Sequence, residues 1–198
     1  MKKYRDHYFN KAKKDNYPAR SVYKLKEMDR QFKLLKRGQR IMDLGAAPGS
    51  WTKYAAECVG DRGIVLAMDL NALEIAPSEN IKFIQEDIFD SQGDFLNRVR
   101  DFVPFDLVLS DMAPKTTGIK FTDQARSLRL AERAFEISID CLKPGGHLVL
   151  KIFQGPDSHE LARQMKLKYK RVKQFKPKSS RSESKEMFFL GMELKGGK

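Results

Sequence analysis

Cysteine is scarce: Cys58 and Cys141 are the only two in 198 residues, far apart and outside any C-x-x-C arrangement. The three histidines, His7, His147 and His159, form no H-x-x-x-H or H-E-x-x-H pattern. A disulfide framework and a zinc site are therefore not expected, and neither is any other metal centre. Long apolar runs are also missing, since no stretch approaches the roughly 20 residues a membrane span requires. The opening Met1-Lys2-Lys3-Tyr4-Arg5-Asp6 has none of the apolar character of a secretory signal. These absences predict a soluble, cytoplasmic protein with no membrane partner. Repeats, low-complexity tracts and a second-domain linker are lacking as well. One core serves economically until roughly 250 residues, so a single domain spanning 1–198 is expected.

Acidic residues are few at the two ends. Residues 1–40 carry 14 Lys/Arg against 4 Asp/Glu, and residues 163–198 carry 12 against 3, leaving 12 basic and 19 acidic between them. Two basic ends around an acidic middle suit a polyanion that crosses surfaces built from both ends, because Lys and Arg contacts to phosphates release condensed counterions. A charged face that merely keeps the chain soluble is the plainer alternative. Tyr4, Tyr8, Phe9 and Tyr17 interleave with Lys11, Lys13, Lys14 and Arg20. That pattern fits stacking on unpaired bases, or equally an arm pinned to the core by its aromatic faces.

In the middle, short apolar runs alternate with helical periodicity. Strands are expected at 40–44, 63–68, 81–84, 105–110 and 147–153. Their continuous rather than alternating apolar character indicates a parallel sheet covered on both faces by helices. The clearest helix spans 123–142, where Ala125, Leu128, Ala131, Phe135, Ile139 and Leu142 recur every three or four residues before Lys143-Pro144-Gly145-Gly146 ends it. Weaker helices are expected at 50–59, 94–101 and 158–168, and another at about 19–32 after Pro18. With its basic flank, the segment of about 1–36 forms an N-terminal extension suited to a nucleic acid. Two last strands, about 171–176 and 187–194, are joined by a polar loop short enough to force them antiparallel, so one must run against the sheet.

Asp43-Leu44-Gly45-Ala46-Ala47-Pro48-Gly49-Ser50-Trp51 is a small-residue loop between the first strand and a helix. Gly45 and Gly49 permit close backbone approach, and the helix start offers free N–H groups, also at Ser50. Ala47 breaks the G-x-G-x-x-G fingerprint and no G-x-x-x-x-G-K-[ST] occurs, which argues against a dinucleotide or a nucleoside triphosphate. Asp69, ending the second strand, is placed to accept ribose hydroxyls, and Asp87, after the third, to face an adenine amino group. Singly, each could be a helix cap. With the loop they suggest one adenosine pocket at the carboxyl edge of the sheet.

Together with Arg20-Ser21-Val22-Tyr23-Lys24-Leu25, Ser110-Asp111-Met112-Ala113-Pro114, Leu148-Val149-Leu150-Lys151-Ile152-Phe153 and residues 182–189, this loop resembles the FtsJ-like ribosomal RNA ribose 2′-O-methyltransferases. The resemblance runs through nearly the whole chain. It implies the class I S-adenosylmethionine-dependent fold, a Rossmann-like α/β architecture with a seven-stranded, mostly parallel sheet, one antiparallel strand and helices on both faces. It further implies Gly49, Trp51, Asp69, Asp87 and Asp111 as S-adenosylmethionine contacts. Lys24, Asp111, Lys151 and Glu186 would form a catalytic tetrad with Lys151 as proton acceptor. The implied substrate is a uridine ribose in large-subunit ribosomal RNA, within the subunit or its precursor, met by a monomer. Ser50 stands where bacterial members show a second glycine, and Lys115 where an Asn is common.

Strand order alone converges on the same four positions. Asp111 follows the fourth strand and Lys151 lies near the end of the fifth, so both reach the carboxyl edge; a reversed last strand would start there, just after Glu186, and the N-terminal helix could bring Lys24. A ribose hydroxyl attacks a methyl sulfonium only as its proton is removed. A lysine serves as the base only if its pKa falls from about 10.4 toward neutrality, which neighbouring positive charge and desolvation favour and the two carboxylates oppose. Rivals are a transfer RNA ribose methyltransferase with the same tetrad, a non-catalytic RNA-binding assembly factor, and a small-molecule methyltransferase, which would leave the basic ends unexplained.

Overall fold

The computed structural model describes residues 7–89, 95–181 and 183–196; Tyr4, Asp94 and Ser182 lie outside them. A seven-stranded sheet has the order β3-β2-β1-β4-β5-β7-β6. Its strands are β1 (Arg40–Leu44), β2 (Ile64–Asp69), β3 (Ile81–Gln85), β4 (Phe105–Ser110), β5 (Leu142–Phe153), β6 (Tyr169–Phe175) and β7 (Glu186–Leu194). All neighbours from β3 through β5 pair in parallel, whereas β7 is antiparallel to both β5 and β6. One reversed strand in a mixed α/β sheet is what the polar loop before Glu186 required.

Among the described residues six α-helices accompany the sheet: α1 (His7–Lys14), α2 (Val22–Phe32), α3 (Ser50–Val59), α4 (Phe95–Val99), α5 (Lys120–Cys141) and α6 (Ser158–Lys168). They divide between two apolar layers. Met42, Leu44, Val108, Leu148 and Leu150 pack with Phe95, Phe135 and Leu161 from α4, α5 and α6. From the opposite face Ile41, Leu107, Leu109 and Val149 meet Leu25 and Met28 of α2 and Trp51 and Ala55 of α3. Because successive strand residues alternate faces and both faces are covered, the strands read as continuous apolar runs. No helix among the described residues is long and apolar enough to cross a membrane.

Differences from the sequence expectations fall in the N-terminal segment and at the end of α5, and each has a physical cause. The N-terminal segment holds two helices rather than one, and α2 starts at Val22 instead of 19. Only Ala12 of α1 is buried, which leaves no apolar period to detect; α1 is held by a small cluster with Tyr17, Val22 and Tyr23. The Tyr17 hydroxyl donates to Glu57 Oε2 at 2.5 Å and that of Tyr23 to Asp15 Oδ2 at 2.8 Å. At the end of α5, β5 begins at once: Phe105 pairs with Leu142 and Leu107 with His147, so Lys143-Pro144-Gly145-Gly146 forms a bulge within the strand. Gly145, at φ +82°, takes the left-handed turn this needs.

Candidate active site

The loop after β1 turns over the end of β2, with the N–H groups of Gly45 and Ala46 both donating to Met68 O at 2.9 and 3.1 Å. Gly45 has φ +74°, and a Cβ there would lie 2.4 Å from Met112 Cγ; Gly49, at φ +109°, would set one 2.8 Å from Ile75 Cγ2. Both positions thus require glycine for conformation and for space. Beyond the loop opens a cleft of about 800 Å³ lined by Gly45, Ala47, Asp69, Asp87, Asp111 and Met112, among others. Its far wall is the first part of α5, including Arg126 and Arg129. Gly45, Asp69, Asp87 and Asp111 therefore share one cavity. Asp69 accepts the Ala47 N–H at 3.0 Å from the loop after β1, and Asp87 accepts the Phe89 N–H at 2.9 Å within its own loop.

Gly49, Ser50 and Trp51 are not part of this lining. The Ser50 hydroxyl accepts the Ala19 N–H at 2.7 Å and donates to Ala19 O at 3.1 Å. Trp51 Nε1 donates to Ser21 O at 2.8 Å, and its indole packs against Phe188 with ring centroids 5.8 Å apart. Both side chains are buried, and what they grip is the stretch leading into α2. Their place in the site is behind Lys24, which that stretch delivers.

Four segments far apart in sequence meet at the carboxyl edge. Lys24 Nζ donates to Glu186 Oε2 at 2.8 Å and lies 3.9 Å from Asp111 Oδ1. Lys151 Nζ is 3.0 Å from the same Asp111 oxygen and donates a hydrogen bond to the Asp111 backbone carbonyl. The four side chains are only 6–15 % exposed. Two cations and two anions balance formally, as groups so far from water must. Burial pushes the Glu186 carboxyl up, but the charge and hydrogen bond of Lys24, with Lys151 behind them, outweigh it and hold the group below its usual range. Glu186 is accordingly ionised at neutral pH.

The far side of Lys24 and Glu186 lines a second recess, of about 390 Å³, together with Arg20, Ser21, Arg181 and Ser184. Arg20 reaches Ser179 O through its guanidinium, and Glu27 accepts the N–H groups of Lys178 and Ser179 at 2.7 and 2.8 Å. Helix α2 is thereby tied to the loop that precedes Glu186. Asp111, lining the first cavity, contacts both lysines; Lys24 and Glu186 line the second. The tetrad thus stands between an acidic cleft and a recess rimmed by arginines.

Asp43, in β1, is the functional candidate that sequence reasoning passed over, although a carboxylate inside Arg40-Ile41-Met42-Asp43-Leu44 was itself a signal. It is 1 % exposed. The Thr52 hydroxyl donates to Oδ2 at 2.6 Å, while Oδ1 has no hydrogen-bond partner. Burial first, and then the charges of Asp111 and Asp69, push its pKa up to about 7 against the pull of Thr52. In the unfolded chain this carboxyl titrates in the usual range, near 4. Between those limits the folded protein retains a proton that the unfolded chain has lost, so stability falls as pH rises from about 4 to about 7. Asp43→Asn keeps the acceptor for Thr52 and removes the titration. Its melting temperature, measured without ligand, should gain on the parent protein steadily across that interval and level off above it, by an amount worth a few kcal/mol. A difference independent of pH would refute the buried-charge assignment.

Comparison with known proteins identifies the family. The model of the FtsJ-like methyltransferase family matches residues 17–194. A protein of Nitratidesulfovibrio vulgaris named "Ribosomal RNA large subunit methyltransferase E" is 55 % identical over 196 residues, 99 % of this chain and 96 % of that protein. One of the same name from Oleidesulfovibrio alaskensis is 56 % identical, over 99 % of this chain and 95 % of its own length. Among solved structures, a Plasmodium falciparum protein assigned as a ribosomal RNA methyltransferase superposes with a TM-score of 0.78 at 25 % identity, covering 91 % of this chain and all of that one. Sheet order, loop, tetrad and sequence all lead to one assignment: the chain belongs to the FtsJ-like methyltransferase family.

Proposed function

We propose that the protein methylates a ribose 2′-hydroxyl, that of a uridine, in large-subunit ribosomal RNA, using S-adenosylmethionine and Lys151 as general base. The observation carrying this reading is the tetrad's position between the two cavities, with an acidic cleft on one side and an arginine-rimmed recess on the other. The names of the two relatives described above support the substrate.

The acidic cleft fits the cofactor. Its carboxylates Asp69, Asp87 and Asp111 offer acceptors for hydroxyl and amino groups, and at Gly45 a Cβ would press on Met112 of the cleft wall. A net acidic lining also complements a ligand bearing a sulfonium and an ammonium group. When bound, S-adenosylmethionine supplies an electrophilic methyl group. The protein's share is to hold the ribose hydroxyl in line and, through Lys151 as a free amine that has first released its ammonium proton to solvent, to take the hydroxyl proton. Lys151 is the base because it is the more buried lysine and its nitrogen is oriented by both oxygens of Asp111 that it meets. Lys24, clamped by Glu186, keeps a positive charge beside it and faces the recess where phosphates would pass Arg20 and Arg181. Alignment of this kind is worth several kcal/mol of barrier. The single domain, its α1–α2 arm on the RNA side, would act as a monomer on the large subunit or its precursor.

Incubating the purified protein with radiolabelled S-adenosylmethionine and, in parallel, large-subunit particles, naked ribosomal RNA and transfer RNA tests the proposal. Label is expected in a ribosomal uridine ribose. Labelling of transfer RNA alone would move the enzyme to the rival substrate.

A further inference from the structure

Where the chain enters α5, after Pro114, it presents two large apolar side chains to water: Ile119, just before the helix, is 63 % exposed and Phe121, in its first turn, 73 %. They are not on a loose loop. Asp123 accepts the N–H and hydroxyl of Thr117 at 2.7 and 2.9 Å and the N–H of Gly118 at 3.1 Å, and its carboxyl is held low chiefly by the Thr117 N–H. Arg126 donates to Lys115 O from the next turn of α5. The segment is therefore a built turn that displays Ile119 and Phe121 when burying them would have been the easier course.

Its place is the rim of the reaction centre. Gln124 Nε2 donates to Gln154 O at 2.5 Å, and the Gln154 N–H donates to Lys185 O at 2.9 Å, one residue before Glu186. On its other flank Lys115 and Arg126 line the acidic cleft. Lys115 and Lys120 are exposed beside the apolar pair. Aromatic surface among cations is the pattern that receives an unpaired base and its phosphates, whereas a second copy of a chain with net charge +12 would be repelled.

We propose that Phe121 stacks on an unpaired base of the substrate RNA beside the target nucleotide, with Ile119 as its apolar support. The assignment rests on the function proposed above, but RNA affinity tests it independently of catalysis. An RNA hairpin carrying 2-aminopurine in its loop is titrated with the parent protein and with Phe121→Ala, Phe121→Trp and Phe121→Leu, melting temperatures serving as a folding control. The parent and the Trp variant should bind alike and quench the fluorescent base. Ala and Leu variants should bind about fivefold to a hundredfold more weakly, with less quenching. Unchanged binding by Phe121→Ala overturns the proposal, as does a loss seen with large-subunit particles but not with the hairpin, which would make the pair a contact for a ribosomal protein. If the parent protein transfers no methyl to ribosomal RNA, the proposed function fails while the affinity series still decides the stacking.

Discussion

Replacing Lys151 by arginine is expected to lower kcat by about 10²- to 10⁴-fold, the range that a positioned general base contributes, while RNA and cofactor affinities stay within a few-fold of the parent. Arginine separates two explanations that alanine would merge. A guanidinium keeps the positive charge and can still pair with Asp111, 3.0 Å from the lysine nitrogen, so a purely electrostatic or structural role would survive the change in large part. It cannot give up its proton in a protein, so it cannot accept one from a ribose hydroxyl. Lys151→Met, which is apolar and unbranched, removes both properties and supplies the floor. If the arginine variant turned over near the parental rate, with the methionine variant inactive, Lys151 would be a charge holder and the base would have to be sought elsewhere.

The same buried setting explains which parts of the site could be read from sequence. Strand-end positions follow from topology: a parallel sheet puts the ends of β2 and β4 on one edge, so Asp69 and Asp111 converge whatever their side chains do. The reversal of β7 then brings Glu186 to the pairing partner of Phe153, two residues beyond Lys151. Helical positions are harder. Ser50 and Trp51 adjoin the glycine loop in sequence, yet successive helix residues are turned by about 100°, and theirs face the stretch leading into α2 rather than the cleft. No pattern within 50–59 says which neighbour a helix will meet. Asp43 was obscured for another reason: an acid in an apolar strand signals function only when its surroundings are known to leave one oxygen unpaired. Helix α1, short and polar, owes its existence to Tyr17, Tyr23 and Ala12 in tertiary contact, a cause outside any local window.

Asp111 should be the least replaceable member of the tetrad because it alone touches both lysines and the acidic cleft. Asp111→Asn preserves the shape and the backbone carbonyl that Lys151 uses, but leaves two buried cations sharing the single carboxylate of Glu186. Breaking a buried pair in this way costs on the order of 3 kcal/mol, reduced here by the residual exposure of the carboxylate. Thermal unfolding of Asp111→Asn should therefore show a clear fall in melting temperature, and methyl transfer should drop at least about a hundredfold, since Lys151 loses the charge that orients it. Adding Lys24→Met to that variant restores the balance of one cation and one anion. If charge balance governs folding and orientation governs chemistry, the double variant should regain much of the stability and none of the transfer. Recovery of both together would mean that Asp111 acts only as a counterion, and that no geometric demand on Lys151 passes through it.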